Sequence, residues 1–326
     1  MLGRGSFGEV YEAIDTFQDA VVALKLVRRL APTAGPWREA QLLTQLRSDY
    51  ILPVWNADLV AGIPYLVTEL ARHGTAGQRM APLGVPPPLA VHWVRAACRG
   101  AARSHDAGLL HCDIKAENLF LDDQDHATLG DFGLASLMDA SGLGPAAFGT
   151  PVTMAPEVAA GGRTSVRSDV YSLGATLYAL LAGRYGHSEP DARACMAAVV
   201  AGGPLALRDL APHVPQALAQ RVDRAMARDA ADRYSSPAEF DAALGHLPAS
   251  ERAWCRTDEH AAHVRCWRGE APGTTAATVC AVAAGSRMAV EARHQPTGRV
   301  INAACRPPGP PSQLPTKVRS AIAAVG

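Results

Sequence analysis

The sequence predicts an α+β chain in which strands gather at the two ends and helices lie between them, and three observations predict it. The glycine-rich stretch Gly3-Arg4-Gly5-Ser6-Phe7-Gly8-Glu9-Val10 leads from one strand-like run into another rather than into a helix. From residue 89 onward apolar side chains recur at helical spacing, and the run 168–181 is apolar nearly all round, as a fully buried helix should be. Beyond Pro248, alternating segments bounded by turn residues return. Strands and helices segregated along the chain describe the α+β class.

With 326 residues the chain can bury a large core and hold two domains. Lys plus Arg and Asp plus Glu both number 31, so net charge gives no electrostatic case for nucleic acid or an anionic membrane as partner. A substrate has to be recognised locally. Seven cysteines, an odd number with no Cys-x-x-Cys pair, make no disulfide framework and fit a reducing compartment. The motif at residues 3–10 leaves no room for a signal peptide at this start. No apolar run reaches the roughly 18 residues of a membrane span, and the nearest, 274–290, is Ala/Gly-rich and carries Arg287. A soluble, cytoplasmic protein is expected.

The chemistry is concentrated in His111-Cys112-Asp113-Ile114-Lys115-Ala116-Glu117-Asn118, followed thirteen residues later by Asp131-Phe132-Gly133. Metal-dependent phosphoryl transfer needs a carboxylate for the acceptor hydroxyl and oxygen ligands for Mg²⁺, which this Asp, the Asn five residues on and the second Asp can supply. At these residues the sequence resembles the protein kinase family, whose loop usually reads H-R-D-x-K-x-x-N. The resemblance implies a bilobal fold, with a small β-rich lobe carrying one helix and a larger helical lobe. It covers residues 1–247 as a catalytic domain and leaves 248–326 as a small, β-rich module.

In the small lobe, Gly3, Gly5 and Gly8 have the G-x-G-x-x-G-x-V spacing, in which absent β-carbons let backbone amides approach phosphate oxygens. Val21-Val22-Ala23-Leu24-Lys25 matches the family's V-A-I-K strand, which makes Lys25 the phosphate-binding lysine. Residues 36–47 read as a helix with Leu42, Leu43, Leu46 and Glu39 on one face, and the family pairs the strand lysine with such a glutamate, here Lys25 with Glu39. By likeness Thr68 is the gatekeeper and the backbone from Glu69 to Ala71 faces the adenine edge. Leu2, Val10 and Ala23 cover the base from above, and Phe120 lies beneath it. The segment 72–88 reads as a Gly/Pro-rich loop joining the lobes. Met1 sits almost on the first glycine, so most of the family's first strand is expected to be missing.

In the large lobe, a helix over 89–106 delivers the catalytic loop. The resemblance makes Asp113 the base, sets Lys115 near the transferred group, and makes Asn118 and Asp131 the metal ligands. His111 is expected to pack under Phe132. Cys112 replaces the usual arginine that grips a phosphorylated activation loop, and residues 134–148 offer only Ser136 and Ser141, so activity is expected not to wait for phosphorylation there. A redox role for Cys112 lacks an evident neighbouring cation. The stretch Gly149-Thr150-Pro151-Val152-Thr153-Met154-Ala155-Pro156-Glu157 resembles G-T-P-x-Y-M-A-P-E, with Thr153 in place of tyrosine. In the family Thr150 ties the substrate loop to Asp113 and Lys115, Asp169 binds the catalytic-loop backbone and helps cap its own helix, and Arg233 pairs with Glu157. A last helix runs from Ser236 to about Leu247.

In the module, 287–293 and 299–305 read as a hairpin, 278–284 as a further strand, 307–315 as a proline-rich loop and 318–325 as a short helix. Cys255, His260, His263 and Cys266 could supply zinc ligands, but their spacing matches no standard pattern, and flanking Trp254 and Trp267 favour buried thiols. The function implied is a serine/threonine protein kinase that moves the γ-phosphoryl of ATP, with Mg²⁺ or alternatively Mn²⁺, to Ser/Thr hydroxyls of protein substrates or of itself. The rivals are a pseudokinase scaffold and an aminoglycoside-type phosphotransferase. Lys115, Phe132-Gly133 and Ala155-Pro156-Glu157 point away from the second.

Overall fold

The computed structural model describes residues 1–5, 8–27, 42–146, 149–187, 189–248, 252–258 and 263–326. The small lobe is a five-stranded antiparallel sheet made of β1 (Gly3–Gly5), β2 (Gly8–Asp15), β3 (Ala20–Val27), β4 (Val54–Val60) and β5 (Ile63–Glu69), in the order β1-β2-β3-β5-β4. The register sets Val10 opposite Lys25 and Ala23 opposite Thr68, so one side of β2, β3 and β5 gathers these residues. The first strand is a three-residue stub, paired to β2 through Gly3 opposite Val10. Of the predicted helix over 36–47, residues 42–45 are helical, with Leu43 and Leu46 buried in the main core. Glu39 lies outside the described residues.

The large lobe is organised by two helices, Pro87–Asp106 and Val166–Ala182. The first begins with Pro87, which fits a helix start because its missing N–H would have no partner there. The second is buried almost throughout, and each fully buried leucine such as Leu173 or Leu177 contributes ~1.5–3 kcal/mol. Its cap corrects the sequence expectation. Ser165 and Ser168 form a reciprocal capping box, which leaves the Asp169 carboxylate for the catalytic loop. Residues 72–88 are also not all loop: Ala76–Met80 is helical, because Thr75 and Gln78 exchange backbone and side-chain bonds as a capping box. The lobe ends in helix Pro237–Gly245, capped by Ser236.

The C-terminal module is a second five-stranded antiparallel sheet, Ala253–Thr257, Arg265–Glu270, Ala277–Ala284, Arg287–His294 and Arg306–Gly309, covered on one face by helix Leu314–Val325. The hairpin expected between 287–293 and 299–305 forms only at its tip. Strand Arg287–His294 pairs along its length with Ala277–Ala284, and the would-be second arm keeps one bridge, Arg293 to Val300, before a helical turn at Asn302–Ala304. The expected proline-rich loop instead begins as a strand, tolerated because Pro307 and Pro308 lie at the sheet edge, where a missing N–H costs no ladder bond. The module touches the large lobe through Arg319, whose Nη1 donates to Arg208 O at 2.8 Å and to Asp209 Oδ1 at 3.3 Å. No helix among the described residues is long and apolar enough to cross a membrane.

Candidate active site

A cleft of about 330 Å³ is lined from both lobes. Leu2, Gly3, Val10 and Ala23 come from the small-lobe sheet, Phe120 and Asp131 from the large lobe. Thr68, Glu69 and Ala71 complete the wall on the side where β5 leaves the sheet, and Lys25 lines it from within β3. Gly5 is paired with Gly8 across β1 and β2. The sequence reading missed Thr75 and Gln78, which the short helix brings to the rim, although their capping-box spacing was there to be read. A larger hollow of about 660 Å³, walled by Tyr50, Arg95, Arg99 and His126, shares Glu69 with the cleft but holds none of the glycine-loop, lysine or catalytic-loop motif residues.

The catalytic loop is fixed from below. Asp169 is buried, and its two carboxylate oxygens accept the backbone N–H groups of His111 at 2.9 Å and Cys112 at 3.0 Å, with His105 Nε2 at 2.7 Å. Burial alone would push this carboxyl up, but the His105 contact and the His111 N–H outweigh it and hold the pKa below the ordinary value. Cys112 takes a left-handed backbone (φ 64°), and its carbonyl lies so close to Gly149 that a β-carbon there would stand 2.7 Å away. Tyr185, which no sequence signal marked, donates from its hydroxyl to Glu117 Oε2 at 2.6 Å and accepts from Ala116 N at 3.0 Å.

On that support Asp113, 3% exposed, accepts from Thr150 Oγ1 at 2.6 Å and from Lys115 Nζ at 2.7 Å, while Lys115 also reaches Thr150 Oγ1 at 2.8 Å. Asn118 Nδ2 donates to Asp113 O at 2.8 Å. Two bonds lace this loop to the strand before Asp131: Gly130 N donates to Asn118 O at 2.9 Å, and His111 Nε2 donates to Gly130 O at 3.1 Å. His111 Nδ1 accepts from Asp113 N at 3.3 Å, so both ring nitrogens are satisfied in the neutral tautomer, and burial lowers the histidine's pKa to match. Its ring packs 4.5 Å from Phe132.

Asp131, also with a left-handed backbone (φ 57°), is in direct contact with Lys25 Nζ. Burial works against its ionisation, but the Lys25 charge and hydrogen bond hold its pKa below the ordinary value. Strand β3 and the 131–133 turn, 106 residues apart, therefore meet in one site. The frame beneath is the bidentate pair of Arg233 with Glu157, at 2.8 and 2.7 Å, with Arg233 2% exposed.

A lysine and a carboxylate meeting across a two-lobed cleft, beside buried Asp113 and Asn118 bonded to half-buried Lys115 and Thr150, define a protein kinase. The sequence model of the protein kinase domain matches residues 1–238, and the chain belongs to that family. Among named relatives it is similar to the serine/threonine-protein kinase PknH of Mycobacterium bovis, 31% identical over 294 residues, which is 85% of this chain and 48% of PknH. It is also similar to PknE of Mycobacterium tuberculosis, 30% identical over 253 residues (74% of this chain, 44% of PknE). PknL of Mycobacterium bovis is 31% identical over 263 residues (74% of this chain, 63% of PknL). The chain thus spans about half the length of the first two relatives.

Proposed function

We propose that the chain is a serine/threonine protein kinase that transfers the γ-phosphoryl group of ATP to hydroxyls of protein substrates. The observation that carries this reading is the contact of Asp113 with both Lys115 and Thr150, because it holds a carboxylate in one orientation where a hydroxyl's proton can be taken. ATP with Mg²⁺, or Mn²⁺, supplies the transferable phosphoryl group and the cation that neutralises its charge. The residues present fit such a ligand. The cleft walls at Val10, Ala23 and Phe120 suit a flat apolar base, Lys25 suits a phosphate, and Asp131 with Asn118 suits a hard cation. Asn118 engages Asp113 through its amide nitrogen, the end opposite the oxygen that a cation takes. In this reading Asp113 accepts the hydroxyl's proton, Lys115 steadies Asp113 and the incoming group, and Thr150 excludes other orientations of the carboxylate.

We also propose that activity does not wait for phosphorylation of Ser136 or Ser141. Asp139 supports this. Its Oδ1 accepts from Ser141 N and Oγ at 2.8 and 2.6 Å, and its Oδ2 from Arg163 Nη2 at 2.7 Å, so a carboxylate already does what a loop phosphate does elsewhere. The Ser141 and Arg163 bonds hold its pKa well below the carboxylate range. Incubation with labelled ATP and Mg²⁺ beside Asp113→Asn tests the main reading: label on a basic protein substrate should fall ~10²–10⁴-fold in the variant. Equal label would refute catalysis by Asp113. Phosphatase treatment that abolished turnover would refute independence from loop phosphorylation.

A further inference from the structure

The sheet of the C-terminal module carries a cluster that phosphoryl transfer does not use. Trp267, Val279, Ala281 and Val290 pack in the core formed with helix Leu314–Val325. Side chains alternate across a strand, so Cys266 and Cys280, one residue out of phase, turn to the opposite face. The two cysteines are direct partners in the ladder between strands Arg265–Glu270 and Ala277–Ala284. His263, just ahead of the first of these strands, brings Nδ1 to 3.6 Å from Cys266 Sγ. One ligand atom from each of His263, Cys266 and Cys280 lies within 4.8 Å of the other two.

We propose that His263, Cys266 and Cys280 form a binding site for a thiophilic d¹⁰ cation, zinc in the first instance. Tetrahedral zinc, about 2.3 Å from sulfur and 2.0–2.1 Å from nitrogen, sets its ligand atoms roughly 3.5–3.8 Å apart. The separation of Cys266 and His263 already matches this, and the remainder is within reach of side-chain rotation. Two thiols and an imidazole select a soft or borderline ion over Mg²⁺ or Ca²⁺. The backbone ladder holds the two cysteines opposite each other, 2% and 4% exposed, while half-buried His263 leaves a way in. On binding, two S–H bonds break and their protons go to solvent, two Zn–S bonds and one Zn–N bond form, the ion stays Zn²⁺, and water completes the tetrahedron. The trio differs from the four residues weighed and disfavoured as zinc ligands in the sequence: Cys280 enters because it faces Cys266 across the ladder, Cys255 faces Arg268, and His260 lies outside the described residues.

The test is titration of the full chain, reduced and stripped with a chelator, with Zn²⁺ and with Co²⁺ as the optical probe. The expected result is one equivalent of metal, a cobalt–thiolate absorption band and release of two protons per ion. Affinity should fall at least about tenfold in Cys266→Ser, Cys280→Ser and His263→Ala, and should stay unchanged in Cys305→Ser. The wild-type titration decides the matter if a buried serine prevents folding, and His263→Ala probes the site without entering the core. Absence of the band in reduced wild type, or its full retention in both Cys280→Ser and His263→Ala, would overturn the proposal. So would a Cys266–Cys280 disulfide that, once reduced, leaves a chain binding no metal.

Discussion

Beneath the cleft, Asp113 is held by three side chains, Thr150, Lys115 and Asn118, and the loop that carries it is held by the buried Asp169. Above it, Leu2, Gly3, Val10 and Ala23 take their places from backbone ladders, and the ceiling's outer edge is a three-residue strand. The sheet is exposed in places, with Ile14 of β2 facing solvent, whereas the floor rests on helix Val166–Ala182, buried nearly all round. In the function proposed above, the difference separates two tasks. Proton removal needs a carboxylate fixed in direction, which only interlocking side chains provide. Gripping a flat base and a phosphate chain needs mainly an apolar slot and a lysine, which a sheet supplies through register.

Substitutions can break this contrast, beginning with the frame under the floor. Arg233→Ala should destabilise the chain by about 3–5 kcal/mol, because it breaks a buried bidentate pair and also loses bonds to Ala227 O and Arg167 O. A urea midpoint that stayed put would show that the frame is not needed. Asp169→Asn should cost about 3 kcal/mol, since an amide presents an N–H to donors that require an acceptor. Its pH dependence carries a definite sign. The folded-state pKa is depressed, so the carboxylate's contribution is complete above the ordinary value of 3.8 and is lost as pH falls from there through the folded pKa. The stability gap between wild type and Asp169→Asn should therefore be constant near neutrality and close in acid. A gap that widened in acid would contradict the assignment.

At the cleft itself, Phe120→Ala should weaken nucleotide binding by about 1–2 kcal/mol, roughly tenfold, with little change in the transfer step at saturation. A loss confined to turnover would place Phe120 elsewhere in the mechanism. The smallest effect is expected at the ceiling. Gly3→Ala meets nothing within 4 Å and should shift stability by less than about 0.5 kcal/mol, whereas at Gly130 an added β-carbon would stand 2.7 Å from the Phe120 ring. Comparable damage from the two changes, read by thermal melting, would erase the distinction between floor and ceiling.

Much of this was legible in the chain. The spacing of Asp113, Lys115, Asn118 and Asp131 and the strand around Lys25 pointed to one site before any coordinates, because phosphoryl transfer restricts residue type and order more than packing does. Local rules also located the helices at Pro87–Asp106 and Pro237–Gly245 within about two residues. The module was harder to read. Its alternation announced strands, but Arg287–His294 proved to pair along its length with the preceding strand and near its start with Arg306–Gly309, since antiparallel pairing is chosen by which apolar faces can share helix Leu314–Val325.

By itself the sequence determined the family, the motif side chains from which the catalytic roles are proposed and the alternation of its strands, since each rests on residue type at fixed local spacing. Tertiary structure alone decided that Tyr185 clasps the catalytic loop and that Cys280 rather than Cys255 stands beside Cys266. These are contacts between segments far apart in sequence or across a ladder whose register is not encoded locally. They form where burying apolar faces leaves polar groups that must find a partner.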